Sequence, residues 1–234
     1  MGSITRRDFV RSSVAAGAVG AAPGTAPASE GTAAERAIRI LGISSSLRKG
    51  RTTAASLDVA LQVAREVSDR VETELIELAE YSMPAGPAAG LPLDEGQRDD
   101  FPELARRLAD PAVRGIIIGT PVYFGNLSSL CKLFLERCIV LWRDDFALSG
   151  KVAGVVAVGG TRNGGQEVTL QSVQVSLLCQ EMIVVGNGRP GPRLGATVWS
   201  GAQGGVLADE FGMTTTRALG RHVAETALRL AGER

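Results

Sequence analysis

The run Gly115-Ile116-Ile117-Ile118-Gly119-Thr120-Pro121-Val122-Tyr123-Phe124-Gly125-Asn126-Leu127-Ser128 decides the fold class. Three isoleucines between glycines make an apolar stretch too short for a helix, as in a strand buried on both faces. The strand reading stops at Gly119, and the polar and aromatic residues beyond it read as a loop. Outward from this strand the pattern alternates. Toward the N-terminus lie a helix over residues 99–109, a Pro/Gly/Ala-rich surface loop over 81–97 and an alternating strand over 71–78 suited to a sheet edge. Before them, Leu57, Leu61, Ala64 and Val67 recur at helical spacing in a helix over 52–69, and residues 37–44 form an apolar strand. Toward the C-terminus come a helix over 127–143, a strand over 151–159, a helix over 165–181 and a strand over 182–185. A Gly/Pro-rich loop over 187–209 and a closing helix over 210–230 complete the order.

Five strands separated by helices require a parallel sheet with helices on both faces, an α/β three-layer sandwich. Right-handed crossovers leave few topologies for a five-stranded parallel sheet, and the flavodoxin-like order 2-1-3-4-5 is one of the two common ones. Ligands in such sheets sit beyond the carboxyl ends of the strands, where the strand order reverses. Here that means the loops after strands one, three and four.

Composition removes several classes of function. The 234-residue chain carries 25 Lys+Arg and 25 Asp+Glu, so a basic nucleic-acid footprint is not expected, and 4% aromatic residues leave few rings for bases to stack on. Three cysteines without a C-x-x-C pair exclude a disulfide scaffold and a zinc ribbon. The single histidine, His222, excludes multi-histidine metal sites and argues against a Ser-His-Asp hydrolase, and no metal site is expected. Cys131, Cys138 and Cys179 read as buried thiols, and His222 as part of a surface helix face.

The N-terminus reads as an address. Arg6-Arg7-Asp8-Phe9 precedes an Ala/Gly/Val-rich run to Ala22, and Ala26-Pro27-Ala28 supplies a small-residue cleavage site. Paired arginines with a phenylalanine two places on resemble a twin-arginine signal. Residues 1–32 are therefore expected to be signal peptide and disordered linker, with residues 33–234 as the domain. Export to the periplasm by the twin-arginine route is the expected destination, and the cytoplasm if the signal is unused.

The three loops carry the candidate chemistry. After strand one, Ser44-Ser45-Ser46-Leu47-Arg48-Lys49-Gly50-Arg51-Thr52-Thr53 joins five hydroxyls to three cations at a helix start. Helix N-terminal N–H groups and cations together suit an anion, and no carboxylate lies between Ser44 and Leu57. After strand three, Tyr123 and Phe124 between Pro121 and Gly125 suit a flat apolar ring. After strand four, Gly159-Gly160-Thr161-Arg162-Asn163-Gly164-Gly165-Gln166 allows close backbone approach and brings a cation. Taken singly, each has a plainer reading: a polar turn, aromatic caps on the core, a flexible connection. Their shared position at one sheet edge is harder to dismiss.

Together these residues resemble the NAD(P)H-dependent FMN reductase family, over about residues 37–230. The likeness is to its flavodoxin-like branch with quinone reductases and iron–sulfur flavoproteins. The resemblance implies non-covalent FMN with its phosphate on Ser44, Ser46, Arg48, Arg51, Thr52 and Thr53. The isoalloxazine would lie along Pro121, Val122, Tyr123, Phe124, Gly125 and Asn126, with Gly160, Thr161, Arg162, Gly165 and Gln166 at its other edge. It implies NAD(P)H as donor, a small acceptor such as a quinone or free flavin, and a homodimer or homotetramer. No side chain is expected to act as acid or base, and Arg162 is expected to tune the flavin electrostatically.

Two features depart from the family. Residues 81–97 hold no cysteine, so no iron–sulfur cluster is expected. The export-type signal sits awkwardly with a cytoplasmic donor. It opens the alternative of an exported FMN-carrying electron-transfer protein served by a periplasmic or membrane redox partner. The G-x-G-x-x-G match at Gly186 to Gly191 is discounted, because Pro190 and Pro192 prevent a helix from following promptly. Trp199 reads equally as a flavin lid or as an interface or core anchor.

Overall fold

Residues 37–232 are described in a computed structural model, and the signal and linker expected over 1–32 lie outside them. In chain order the elements are β1 (Ile38–Ser44), α1 (Thr52–Glu66), β2 (Val71–Glu77), α2 (Phe101–Ala109), β3 (Val113–Tyr123) and β4 (Asn126–Leu127). They continue as α3 (Ser129–Arg137), α4 (Ile139–Arg143), β5 (Val152–Gly159), α5 (Gln166–Leu178), β6 (Ile183–Val184), β7 (Ala196–Trp199) and α6 (Glu210–Gly232). The sheet runs β2-β1-β3-β5-β6 with β7 also on β5, all in parallel, and β4 pairs antiparallel with β3. These five strand positions are the flavodoxin-like 2-1-3-4-5 order, with β2 at an edge as its alternation predicts.

Period-two alternation sorts the strand side chains between two cores. Leu41 and Ile43 of β1 join Ile116 and Ile118 of β3 and Val155 of β5 under α2, α3, α4 and α5. Ile38 and Ile40 join Ile117, Val156 and Val158 under α1 and α6. The periodic residues of α1 face this second core: Leu57 and Ala64 are fully buried, and Val67 packs beside them. α1 and α6 approach closely at Gly220, where a Cβ would lie 2.1 Å from the Ala60 carbonyl oxygen.

Three elements differ from the sequence reading. β3 does not end at Gly119 but continues to Tyr123 and turns back through Phe124 and Gly125 into β4. Both turn residues have positive φ (50° and 74°), the two-residue geometry that matches strand twist. Phe-Gly is not a usual signal for it, so the hairpin was hidden. The fifth strand comes in two pieces: β6 pairs with Val152 and Ala153, residues 185–195 loop out, and β7 returns to pair with Val156 through Gly159. β7 was hidden inside a stretch read as loop, yet Ala196 and Val198 are wholly buried. The helix expected over 127–143 breaks at Cys138, whose carbonyl accepts from Leu141 N–H, Trp142 N–H and the Gln180 amide.

The segment after β2 is held by a buried ion pair. Arg137 of α3, 3% exposed, donates to both carboxylate oxygens of Asp99 (3.0 and 2.7 Å) and to Pro84 O (2.7 Å). Its guanidinium lies 4.7 Å from the centre of the Phe101 ring. Removing one partner of a buried pair leaves an uncompensated charge. Asp99→Ala is expected to destabilise the protein by about 3–5 kcal/mol in urea unfolding, with residues 81–99 becoming the first site of proteolytic cutting.

Candidate functional site

Parallel pairing brings the carboxyl ends of β1, β3 and β5 to one rim, and hydrogen bonds lock the loops that follow. Ser45 donates to the Gly119 carbonyl twice, from N–H (2.9 Å) and from Oγ (2.7 Å). Ser128 Oγ donates to Ser45 O (2.8 Å) while accepting from Cys131 N–H, so it caps α3 and ties the first loop to the hairpin. Ser128 N–H in turn donates to Thr120 Oγ1 at 3.1 Å. The third loop closes on the hairpin tip: a Cβ on Gly165 would sit 2.6 Å from Gly125 Cα, so only glycine fits. The three loops therefore do meet.

In the first loop, Ser44 is wholly buried and its Oγ has no hydrogen-bond partner. Ser46 is nearly buried and its Oγ accepts from Arg48 N–H at 3.1 Å. α1 begins after Arg51 with no side-chain cap and no acidic residue in its first turn, so its N-terminal donors and dipole favour an anion. Thr52 is half-buried and Thr53 buried at that end, whereas Arg48 and Arg51 are exposed and form no ion pair among the described residues. One expectation is corrected. The loop itself lacks carboxylates, but the end of β2 brings them. Glu77 accepts from Gly50 N–H (2.9 and 3.2 Å) and Glu80 pairs with Lys49, so one donor and one cation are already engaged.

At the hairpin, Pro121 is buried in the sheet opposite Val158 and Val122 packs on the core, so neither offers much open surface. Tyr123 is 47% exposed and Phe124 fully exposed at the tip. Asn126 is turned to its own strand, with Oδ1 accepting from Leu127 N–H at 2.8 Å. In the third loop Gly160, Thr161 and Arg162 are exposed. Gln166 is buried and shapes the turn, donating to Thr161 O (2.6 Å) and accepting from Gly164 N–H (2.8 Å).

Arg162 does not present an uncompensated charge. It pairs with the buried carboxylate of Asp209, and its guanidinium lies 5.5 Å from the ring centres of both Trp199 and Phe211. Trp199 donates its indole N–H to Gly160 O at 3.0 Å, which makes it an anchor for this loop. Asp209 also accepts from Trp199 N–H (2.7 Å) and from Gly212 N–H (3.1 Å) at the start of α6. Burial opposes its charge, but the hydrogen bonds from Arg162, Trp199 and Gly212 outweigh that and hold its carboxyl below the usual range. Sequence reasoning missed this residue as a site element. An aspartate directly before a helix is an N-cap signal, but nothing local announces a partner 47 positions away.

The thiols divide. Cys131 lies beneath the first loop beside Ser45 and Thr120, and burial pushes it up to about 11. Burial likewise pushes Cys138 up to about 12, whereas Cys179 is exposed, contrary to the expectation that all three are buried. His222 is not a free surface residue: its Nδ1 lies 2.8 Å from Gly186 O and fastens the 185–195 segment to α6.

A depressed carboxyl stabilises the fold fully above the ordinary aspartate value of about 3.9, and the effect is lost as pH falls through the lower folded value. Urea midpoints measured from pH 6 to pH 2 should therefore fall more steeply for the unmodified protein than for Asp209→Asn, which is less stable at pH 6 and flatter below pH 4.

Comparison with known proteins bears on this rim. The family profile described as NADPH-dependent FMN reductase matches residues 38–190. An iron–sulfur flavoprotein of Methanocaldococcus jannaschii is 38% identical over 192 residues, covering 80% of this chain and 96% of that one. A NAD(P)H dehydrogenase (quinone) of Chromohalobacter salexigens is 36% identical over 141 residues, covering 53% and 70%. Among solved structures, a WrbA-like flavodoxin from Agrobacterium tumefaciens shares the fold at TM-score 0.54 and 20% identity, covering 82% of this chain and 98% of that one. The matched span runs from β1 past the third loop, and the chain belongs to the NADPH-dependent FMN reductase family.

Proposed function

We propose that this chain is an FMN-dependent oxidoreductase that takes reducing equivalents from NAD(P)H and passes them to a small acceptor such as a quinone or free flavin. The observation that carries the reading is the pairing of two features on one rim. An uncapped, acid-free helix N-terminus, with Arg48 and Arg51 unpaired among the described residues, stands beside a hairpin that exposes Tyr123 and Phe124. The partnerless Ser44 Oγ at the base of the first loop fits the same anion. Ser44, Ser46, Arg48, Arg51, Thr52 and Thr53 would hold the phosphate, and residues 121–126 would flank the ring, chiefly through Tyr123 and Phe124. Gly160, Thr161 and Gly165 would border its other edge, with Gln166 shaping that loop and Arg162 set back on Asp209. FMN, when bound, supplies hydride acceptance and electron transfer, and the protein contributes position, water exclusion and a fixed polar surround. No acid or base is asked of Cys131, whose buried thiol stays protonated.

The reading does not include an iron–sulfur cluster. Residues 81–97 hold no cysteine, and the buried Arg137–Asp99 pair fastens that segment instead. A homodimer or homotetramer is proposed from the exposure of Phe124, Leu47 and Leu91, which leaves apolar surface for a second copy. The Arg6-Arg7 signal-like start favours a second reading, an exported electron-transfer flavoprotein served by a periplasmic or membrane redox partner.

The purified protein is expected to be yellow, or to become so with added FMN, and to bleach with NADPH. Failure to take up FMN removes the reading. Arg51→Ala combined with Thr52→Ala is expected to weaken FMN binding at least tenfold by fluorescence titration, since charge-assisted hydrogen bonds contribute about 1.5–3 kcal/mol each. Flavin bleached by dithionite but by neither nicotinamide would favour the electron-transfer reading.

A further inference from the structure

Beside the rim lies a cleft of about 690 Å³ that shares the third loop with the flavin site and extends away from it toward β7 and α6. Its walls include Arg162 and Gly165 from the third loop, Arg193 from the segment between β6 and β7, Thr197 of β7 and Phe211 of α6. The volume is in the range of small-molecule sites. The chemistry of the walls is mixed but ordered. Arg193 lies 5.2 Å over the Phe211 ring and forms no ion pair among the described residues. Its backbone is pinned by the buried Asn187, whose Oδ1 accepts from Arg193 N–H at 2.6 Å. Arg162 is fixed by Asp209. Glu167, at the start of α5, is the one carboxylate on the lining.

We propose that this cleft binds the adenosine diphosphate half of the nicotinamide donor. A planar guanidinium grips phosphate oxygens in pairs, so Arg193, which has no carboxylate partner among the described residues, would take the diphosphate beside the Asp209-held Arg162, while Phe211 borders the purine. Glu167 would accept from a ribose hydroxyl, the role an acidic residue plays toward the adenosine ribose in dinucleotide sites. Position supports the assignment. Gly165 forms one wall of the cleft and also touches Gly125 at the hairpin tip, so a molecule seated here extends toward the flavin rim. The proposal rests on NAD(P)H as the donor, and it goes beyond that reading in naming where the non-reacting half docks.

The test uses calorimetric titration of the full chain with ADP, adenosine and inorganic phosphate in turn. ADP is expected to bind at least tenfold more tightly than either fragment. Arg193→Ala is expected to lower ADP affinity at least tenfold, and Glu167→Gln several-fold. Arg193→Lys should fall between, because it keeps the charge but loses the planar fork. Both positions are exposed, and an unchanged melting temperature verifies folding. In NADH oxidation, whose adenosine ribose keeps the free 2′-hydroxyl that Glu167 would accept from, Arg193→Ala should raise KM at least fivefold, with the loss in KM rather than kcat. ADP binding no tighter than adenosine, or an affinity indifferent to Arg193→Ala, overturns the proposal. The two readings fail separately. ADP binding by a chain that takes up no FMN upholds the cleft and removes the oxidoreductase, whereas brisk NADPH turnover without ADP binding does the reverse.

Discussion

Ser45 is the residue through which the rim is assembled. Its N–H and hydroxyl both donate to the Gly119 carbonyl, and its own carbonyl accepts from Ser128, which in turn caps α3. Each of these groups is buried, and a buried polar group without a partner costs about 1–3 kcal/mol. The first loop and the hairpin are therefore committed to one relative position before any ligand arrives. The helix N-terminus that follows the first loop inherits that position, as does the aromatic tip on the other side. Pre-organisation of this kind lets backbone donors act on an anion without first being ordered.

The electrostatics of the rim are distributed unevenly. Lys49 and Arg162 each have a carboxylate partner, from Glu80 and Asp209, whereas Arg48, Arg51 and Arg193 do not among the described residues. Unpaired cations thus remain at two places, the start of α1 and the cleft between β7 and α6. Arg162 with Asp209 joins the third loop to α6 and β7, so its charge serves position more than field. Exposed pairs contribute little to stability, but Asp209 is buried and also caps a helix, which makes it the costlier residue to lose.

The segment after β2 shows how a stretch of low apolar mass is ordered by one buried cation. The chain resembles iron–sulfur flavoproteins along most of its length, yet carries no cysteine in residues 81–97. Order there comes from Arg137, which reaches from α3 to Asp99 and Pro84 and stacks on Phe101. A buried guanidinium bonded through both terminal nitrogens can anchor a Pro/Gly/Ala-rich segment that has little apolar side-chain mass of its own.

The alternation of strand and helix, the two-sided burial of the Ile116–Ile118 core, the edge character of β2 and the placement of the three loops at one rim were all legible in sequence, because each is a local periodicity or a rule of parallel sheets. The aromatics of residues 121–126 and the hydroxyls and cations of the first loop stand at the strand ends where the sequence places them, because residue type and position in the strand–helix alternation are both local. What sequence could not decide was pairing across distance. That Glu77 reaches Gly50, that Asp209 holds Arg162, that Gln166 faces its own loop and that β7 returns to β5 after an excursion all depend on side chains and strands far apart in the chain. Only tertiary structure brings such groups within hydrogen-bonding range, and that decides which of the charged residues remain unpaired at the rim.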